Sequence, residues 1–215
     1  MSGVAPDGSP VALYARLPAL GEPELIHEAI PAAAAVLELG AGAGRITHGL
    51  VALGHPVVAV DNSAEMLAHI RGAEVVEADI ETLELRRRFP VVLLASNFVN
   101  HPDAADRREL LACCARHVEP GGQVLLQGFP RDWEPDTEWS ELAEVRLRLR
   151  SYSLDGAVVT GEMEYIVDGQ HLVHSFKSRL LDDHELDEDL HAVGLGRGRE
   201  LDERGSWIEA VPTGS

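Results

Sequence analysis

The 215-residue chain reads as an α/β protein with a doubly wound parallel sheet and, late in the chain, an inserted helix and β-hairpin. Three features point there. Five short Val- and Leu-rich segments recur through residue 129, helical patterns fill the gaps between them, and the first segment runs directly into Gly40, Gly42 and Gly44. The segments "AAVLEL" (34–39), "HPVVAVD" (55–61), "AEVVEAD" (73–79), "PVVLLAS" (90–96) and "QVLLQGF" (123–129) are too short for helices and apolar enough to be strands buried on both faces. Between them, Ile46, Leu50 and Leu53 follow helical spacing, as do Leu110, Cys114 and Val118. Ser63 precedes "AEML" as an N-cap, and "EPGGQ" (119–123) is a helix stop and turn. Strict alternation of strand and helix winds helices onto both faces of a parallel sheet.

After residue 130 the pattern changes. "RDWEPDTEWSELAEVRLRLR" reads as a loop leading into an amphipathic helix, and "AVVTGEMEYIVDGQHLVHSFKSRLL" as two long strands turning at Asp168-Gly169. A helix follows in "DDHELDEDLHAVG", capped by Asp182 or Asp183 and stopped at Gly194. Two short strands, about 196–201 and 206–211, close the chain. The whole is one domain over residues 1–215, with a core at 34–129 and an insertion at 130–181 that is either a substrate lid or a dimer element. An exposed hairpin edge invites pairing with a second copy, hence a homodimer.

Composition narrows the function. The net charge of −18 repels phosphate backbones, which argues against nucleic acid as a partner. The N-terminal "MSGVAPDGSPVALY" lacks the pattern of a secretory signal, and no window is apolar enough to cross a membrane. Cys113 and Cys114 are adjacent in a helical pattern and point apart, so reduced structural thiols and a cytoplasmic protein are expected. Seventeen arginines against one lysine, Lys177, suit a GC-rich bacterial genome.

The glycines raise a choice between two adenosyl cofactors. A dinucleotide site follows G-x-G-x-x-G, and its third glycine falls here on Arg45. Glu38, two residues before Gly40, is awkward beside a pyrophosphate but suits a cationic sulfonium and ammonium. Asp61 ends the second strand 21 residues after Gly40, where an acid accepts from ribose hydroxyls. Asp79 ends the third, placed to accept from the adenine amine, with Ile80 over the ring.

"VLELGAGAGRIT", "VVAVDNSAEML", "VVEADIETL", "PVVLLASNFVNH" and "HVEPGGQVLLQGF" resemble, in order and spacing, the successive motifs of the class I S-adenosylmethionine-dependent methyltransferases. The resemblance is strong over about 34–129 and weaker in the tail. It implies a Rossmann-like seven-stranded sheet with an antiparallel last strand. It also implies a methionine site at Glu38, Gly40, Ala41 and Gly42, and a ribose site at Asp61. Adenine falls to Asn62, Met66, Asp79 and Ile80, and the fourth strand end to Ser96 and Asn97. Tyr14 and Arg16 would fold over the cofactor. The expected acceptor is a small molecule, methylated at oxygen or nitrogen.

Methyl transfer needs a positioned nucleophile and a dry site, and needs a base only when the nucleophile arrives protonated. In "SNFVNHPD", His101 is the candidate base, with Asn97 and Asn100 orienting the substrate; a histidine that caps a helix or faces solvent is the plain alternative. The segment lacks the Asn-Pro-Pro-Tyr type of sequence found in nucleobase and glutamine methyltransferases, and no metal-ligand set is evident. Two rivals stay open: a nicotinamide-dependent oxidoreductase, and a cofactor-binding module without turnover.

Overall fold

The computed structural model describes residues 3–6 and 8–214. A short helix α1 (Val11–Tyr14) and helix α2 (Glu22–Ala29) precede strand β1 (Val36–Leu39). There follow α3 (Arg45–Ala52), β2 (Val57–Asp61), α4 (Ala64–Leu67), β3 (Glu74–Glu77) and β4 (Phe89–Leu94). A 3-10 turn (Phe98–Asn100) leads to α5 (Ala104–His117) and β5 (Val118–Gln127). The inserted strands β6 (Ser140–Leu142), β7 (Val145–Asp155), β8 (Val158–Val167) and β9 (Gln170–Arg179) come next. The chain then closes with α6 (Asp183–Ala192), β10 (Leu195–Glu200) and β11 (Trp207–Pro212).

The main sheet has the order β10-β11-β5-β4-β1-β2-β3, with β11 antiparallel to both neighbours, which is the seven-stranded arrangement expected. Strand parity sorts its side chains into two cores. Leu37, Leu39, Val92, Leu94, Val124 and Leu126 pack against α5 and α6; Val36, Val57, Ala59, Val91, Leu93 and Leu125 pack against α2 and α3. Glu38 shares the second face, in register with Ala59 and Leu93, so its carboxyl is driven into apolar surroundings. The buried Cys113 and Cys114 are free thiols in the first core, and burial raises both, Cys113 to about 11. Asp182 caps α6 by accepting from the Glu185 N–H at 2.8 Å.

Two expectations about strands fail. Strand β3 is not buried on both faces: it lies last in the order, Val75 is exposed, and Glu74 pairs with Arg87 across the surface. The inserted helix is absent. The stretch Val145 to Arg150 alternates apolar and basic residues with period two, and it forms β7 within a four-stranded antiparallel sheet ordered β6-β7-β8-β9. Arg146 and Arg148 lie over the Trp139 ring on one face, and Arg148 pairs with Glu164 across the strands at 2.7 Å. The hairpin does turn at Asp168-Gly169, both with positive φ (51° and 73°).

The other face of this second sheet is apolar. At one end Val145, Tyr165 and Val167 enclose Leu13 of α1. Phe176 crosses Gly161 so closely that a Cβ there would meet its ring at 2.8 Å. The far end is tied to the main sheet, because Asn100 donates to the Arg179 carbonyl at 2.8 Å. The second sheet thus stands over the carboxyl ends of the parallel strands. Among the described residues no helix is long and apolar enough to cross a membrane.

Candidate active site

Carboxyl ends of parallel strands are where open α/β sheets bind ligands, and the chain's acidic and glycine-rich turns converge there. Beyond β1 the backbone bends through Gly40 (φ 72°) and Gly42 (φ 56°) before α3 begins. A Cβ on Gly40 would lie 2.4 Å from the Phe98 ring, so both the conformation and the contact require glycine. At Gly42 nothing lies within 4 Å of a Cβ, and the bend opens outward.

Asp61 clamps this bend. One carboxylate oxygen accepts from the Gly42 N–H at 2.8 Å and the other from the Ser63 N–H at 2.9 Å. Ser63 in turn accepts from the Met66 N–H, the cap expected from its sequence position. The Asn62 amide donates to Asp79 at 2.9 Å, joining the ends of β2 and β3 on the exposed rim. Met66 is buried with Ala43 and Val11, and Ile80 is buried on the α5 face. Ala41 is buried, and its N–H donates to the Val60 carbonyl at 2.8 Å.

Glu38 is the unusual group. Its side chain is buried and accepts from the Thr47 hydroxyl at 2.5 Å. Desolvation pushes its pKa up from 4.5 to about 7, against the Thr47 hydrogen bond and the attraction of Arg45. Arg45 instead pairs with Glu22 of α2. Burial alone would raise the Glu22 carboxyl, but Arg45 outweighs it and holds that carboxyl below its usual range. Arg45 therefore leaves the helix–strand approach uncrowded by turning toward α2, and it reaches Ser96 at 3.5 Å.

The end of β4 is strained. Ser96 (φ 56°) and Asn97 (φ 60°) are consecutive left-handed residues, which costs of order 1–3 kcal/mol each and is a frequent feature of binding sites. Gln127 at the end of β5 holds them, accepting from the Ser96 N–H at 2.8 Å.

Three sequence expectations need correction or refinement. Asn100 is not free to orient a substrate, because its amide donates to the Arg179 carbonyl and its carbonyl accepts from the Phe129 N–H at 3.1 Å. Arg16 pairs with Glu144 and Asp168 at the turns of the second sheet, so its charge is engaged there. His101 is half-exposed and folds back on α5, with Nδ1 3.3 Å from both the Asp103 N–H and the Asp106 carboxylate. Tyr14 packs in two clusters, because α1 bridges the glycine bend, through Ala43 and Met66, and the second sheet, through Tyr165.

Glu22, Arg45, Thr47 and Gln127 were not found by sequence reading. Each acts through another residue, and only Arg45, standing where a third glycine belongs, carried a signal. Arg107 was also missed. It is buried on α5, pairs with the buried Asp189 of α6 at 2.7 Å, and donates to the His101 carbonyl at 3.0 Å, so it fixes the loop after β4. Of the aromatic residues in the insertion, Trp133 meets Phe129 beside a hollow, Trp139 lies under two arginines, and Tyr165 is packing. Arg179 ties β9 to α6 through Glu185.

Residues 36–122 match a family model described as a methyltransferase domain. An uncharacterized methyltransferase of Mycobacterium tuberculosis is 49% identical over 132 residues, 58% of this chain and 52% of that protein. A ubiquinone biosynthesis O-methyltransferase of Nitrobacter winogradskyi is 32% identical over 107 residues, 46% of this chain and 40% of that one. The chain thus spans 40% to 52% of the length of these curated relatives. The solved structure of a glycopeptide N-methyltransferase complexed with S-adenosyl-L-methionine has a TM-score of 0.64 at 28% identity, covering 92% of this chain and 95% of that one. Taken with the strand order and the acid-clamped glycine bend, these likenesses show that residues 36–122 resemble a methyltransferase domain and that the chain shares the fold of a solved S-adenosylmethionine-bound methyltransferase.

Proposed function

We propose that the protein transfers a methyl group from S-adenosylmethionine to an oxygen or nitrogen of a small-molecule acceptor. The observation that carries this reading is the buried Glu38 beneath an open glycine bend, with Asp61 and Asp79 at the next two strand ends. Such a site suits a cationic, phosphate-free adenosyl donor and disfavours a pyrophosphate. When bound, that donor supplies a methyl carbon already activated by its sulfonium.

The chain's own share is recognition and placement. Glu38, in its ionised form with its proton released to solvent, accepts from the donor's ammonium. Gly40, Ala41 and Gly42 give backbone contact along the methionine portion. Asp61 accepts from the ribose hydroxyls while keeping the Ser63 N–H as a second partner. Asn62 and Asp79 hydrogen-bond the adenine edge, with Met66 and Ile80 beneath the ring. Ser96 and Asn97 flank the reacting atoms, and α1 with Tyr14 covers the crevice. Holding the acceptor in line in a dry site is worth ~7–11 kcal/mol. His101 takes the acceptor's proton at Nε2 in the tautomer whose Nδ1–H donates to Asp106, which gives up the Asp103 N–H bond to Nδ1.

Calorimetric titration with S-adenosylmethionine and with NADH tests the reading. The sulfonium donor binds and NADH does not; binding of NADH alone would end the proposal.

A further inference from the structure

Beside the 3-10 turn lies a hollow of about 110 Å³, opening between the ends of β4 and β5 and the start of α6. Val99, Leu126, Phe129, Trp133, Leu181 and Leu186 supply its apolar walls. The 3-10 turn separates it from the glycine bend: Phe98 rests on Gly40, while the next residue, Val99, faces the hollow.

Its polar lining is already spent. Asn100 uses both ends of its amide, on the Arg179 carbonyl and the Phe129 N–H. Arg131 is held by Asp183 and Glu200, and Asp182 caps α6. An incoming anion would have to break the Arg131 pairs to be held, whereas an apolar group would displace only water. The Phe129 and Trp133 rings stand 5.2 Å apart and tilted by 56°, leaving ring faces and edges for an aromatic guest. The size sets the guest. An apolar cavity of ~150 Å³ admits benzene, so a slightly smaller hollow open on one side takes a single ring.

We propose that this hollow binds a neutral, apolar ring of about six heavy atoms, one part of a larger acceptor. The ring's place in an acceptor rests on the methyl-transfer reading; its binding does not.

The test uses fluorobenzene followed by fluorine NMR, with and without saturating S-adenosylhomocysteine. Saturable binding near or below about 1 mM is expected, and it persists when the nucleoside is present. Trp133→Ala, on a half-buried loop, weakens it several-fold, and Leu181→Trp fills the hollow and abolishes it; circular dichroism and thermal midpoints report folding. No saturable shift, displacement by S-adenosylhomocysteine, or unchanged affinity in a folded Trp133→Ala variant would overturn the proposal. Should fluorobenzene bind while S-adenosylhomocysteine does not, the methyl-transfer reading fails and the ring site stands.

Discussion

Replacing Glu38 by glutamine separates two effects that its buried carboxyl combines. In the folded protein desolvation raises this group from 4.5 to about 7. An acid raised in this way favours the fold fully below pH 4.5, where both states carry the proton. The advantage is lost as pH climbs to about 7, because the unfolded chain ionises first. Each unit is worth about 1.4 kcal/mol, so the wild-type protein without donor gives up about 3 kcal/mol between pH 4.5 and 7 on this account. The glutamine variant keeps an amide beside Thr47 and has no proton to lose. Urea unfolding should therefore find the two proteins alike near pH 4.5 and the variant more stable by up to about 3 kcal/mol at pH 8. Donor affinity moves oppositely. If only the ionised carboxylate accepts an ammonium, wild-type affinity for S-adenosylmethionine rises about tenfold from pH 6 to pH 8 by calorimetry. The variant binds more weakly and loses that dependence. A variant less stable than wild type at pH 8, with donor affinity and its pH dependence unchanged, would refute the reasoning.

Other perturbations probe the remaining parts of the site. Asp61→Ala removes the acceptor for the Gly42 and Ser63 N–H groups and any ribose contact, so calorimetric donor affinity should fall at least about tenfold. His101→Ala should leave donor affinity unchanged and slow S-adenosylhomocysteine formation by about 10²-fold or more; full turnover would remove His101 as the base. Asp189→Ala strands the buried Arg107 and should cost about 3–5 kcal/mol in urea unfolding, while replacing both partners with apolar residues restores most of the loss.

Much of this protein was legible from short stretches of chain. The strands and helices through residue 129 follow local periodicity, and the cluster of Gly40, Gly42, Asp61 and Asp79 follows from their positions at successive strand ends. The Ser63 cap and the Asp168-Gly169 turn are likewise properties of a few neighbouring residues. The error at 140–150 arose within reach of the sequence, since Val-Arg-Leu-Arg-Leu-Arg alternates with the period of a strand. What tertiary structure decided are the partners of polar groups far apart in the chain. Asn100 looked available for substrate until the Arg179 carbonyl, 79 residues away, was found to take its amide. Arg16 was expected over the cofactor, yet the turns of the second sheet claim its charge. The pKa of Glu38 also depends on packing, because its burial requires the Ala59 and Leu93 strands to pair on either side of it. Periodicity is a property of the backbone's own geometry and survives in any window of sequence. Hydrogen-bond allegiance and burial depend on which distant surfaces meet, and only the folded chain specifies that.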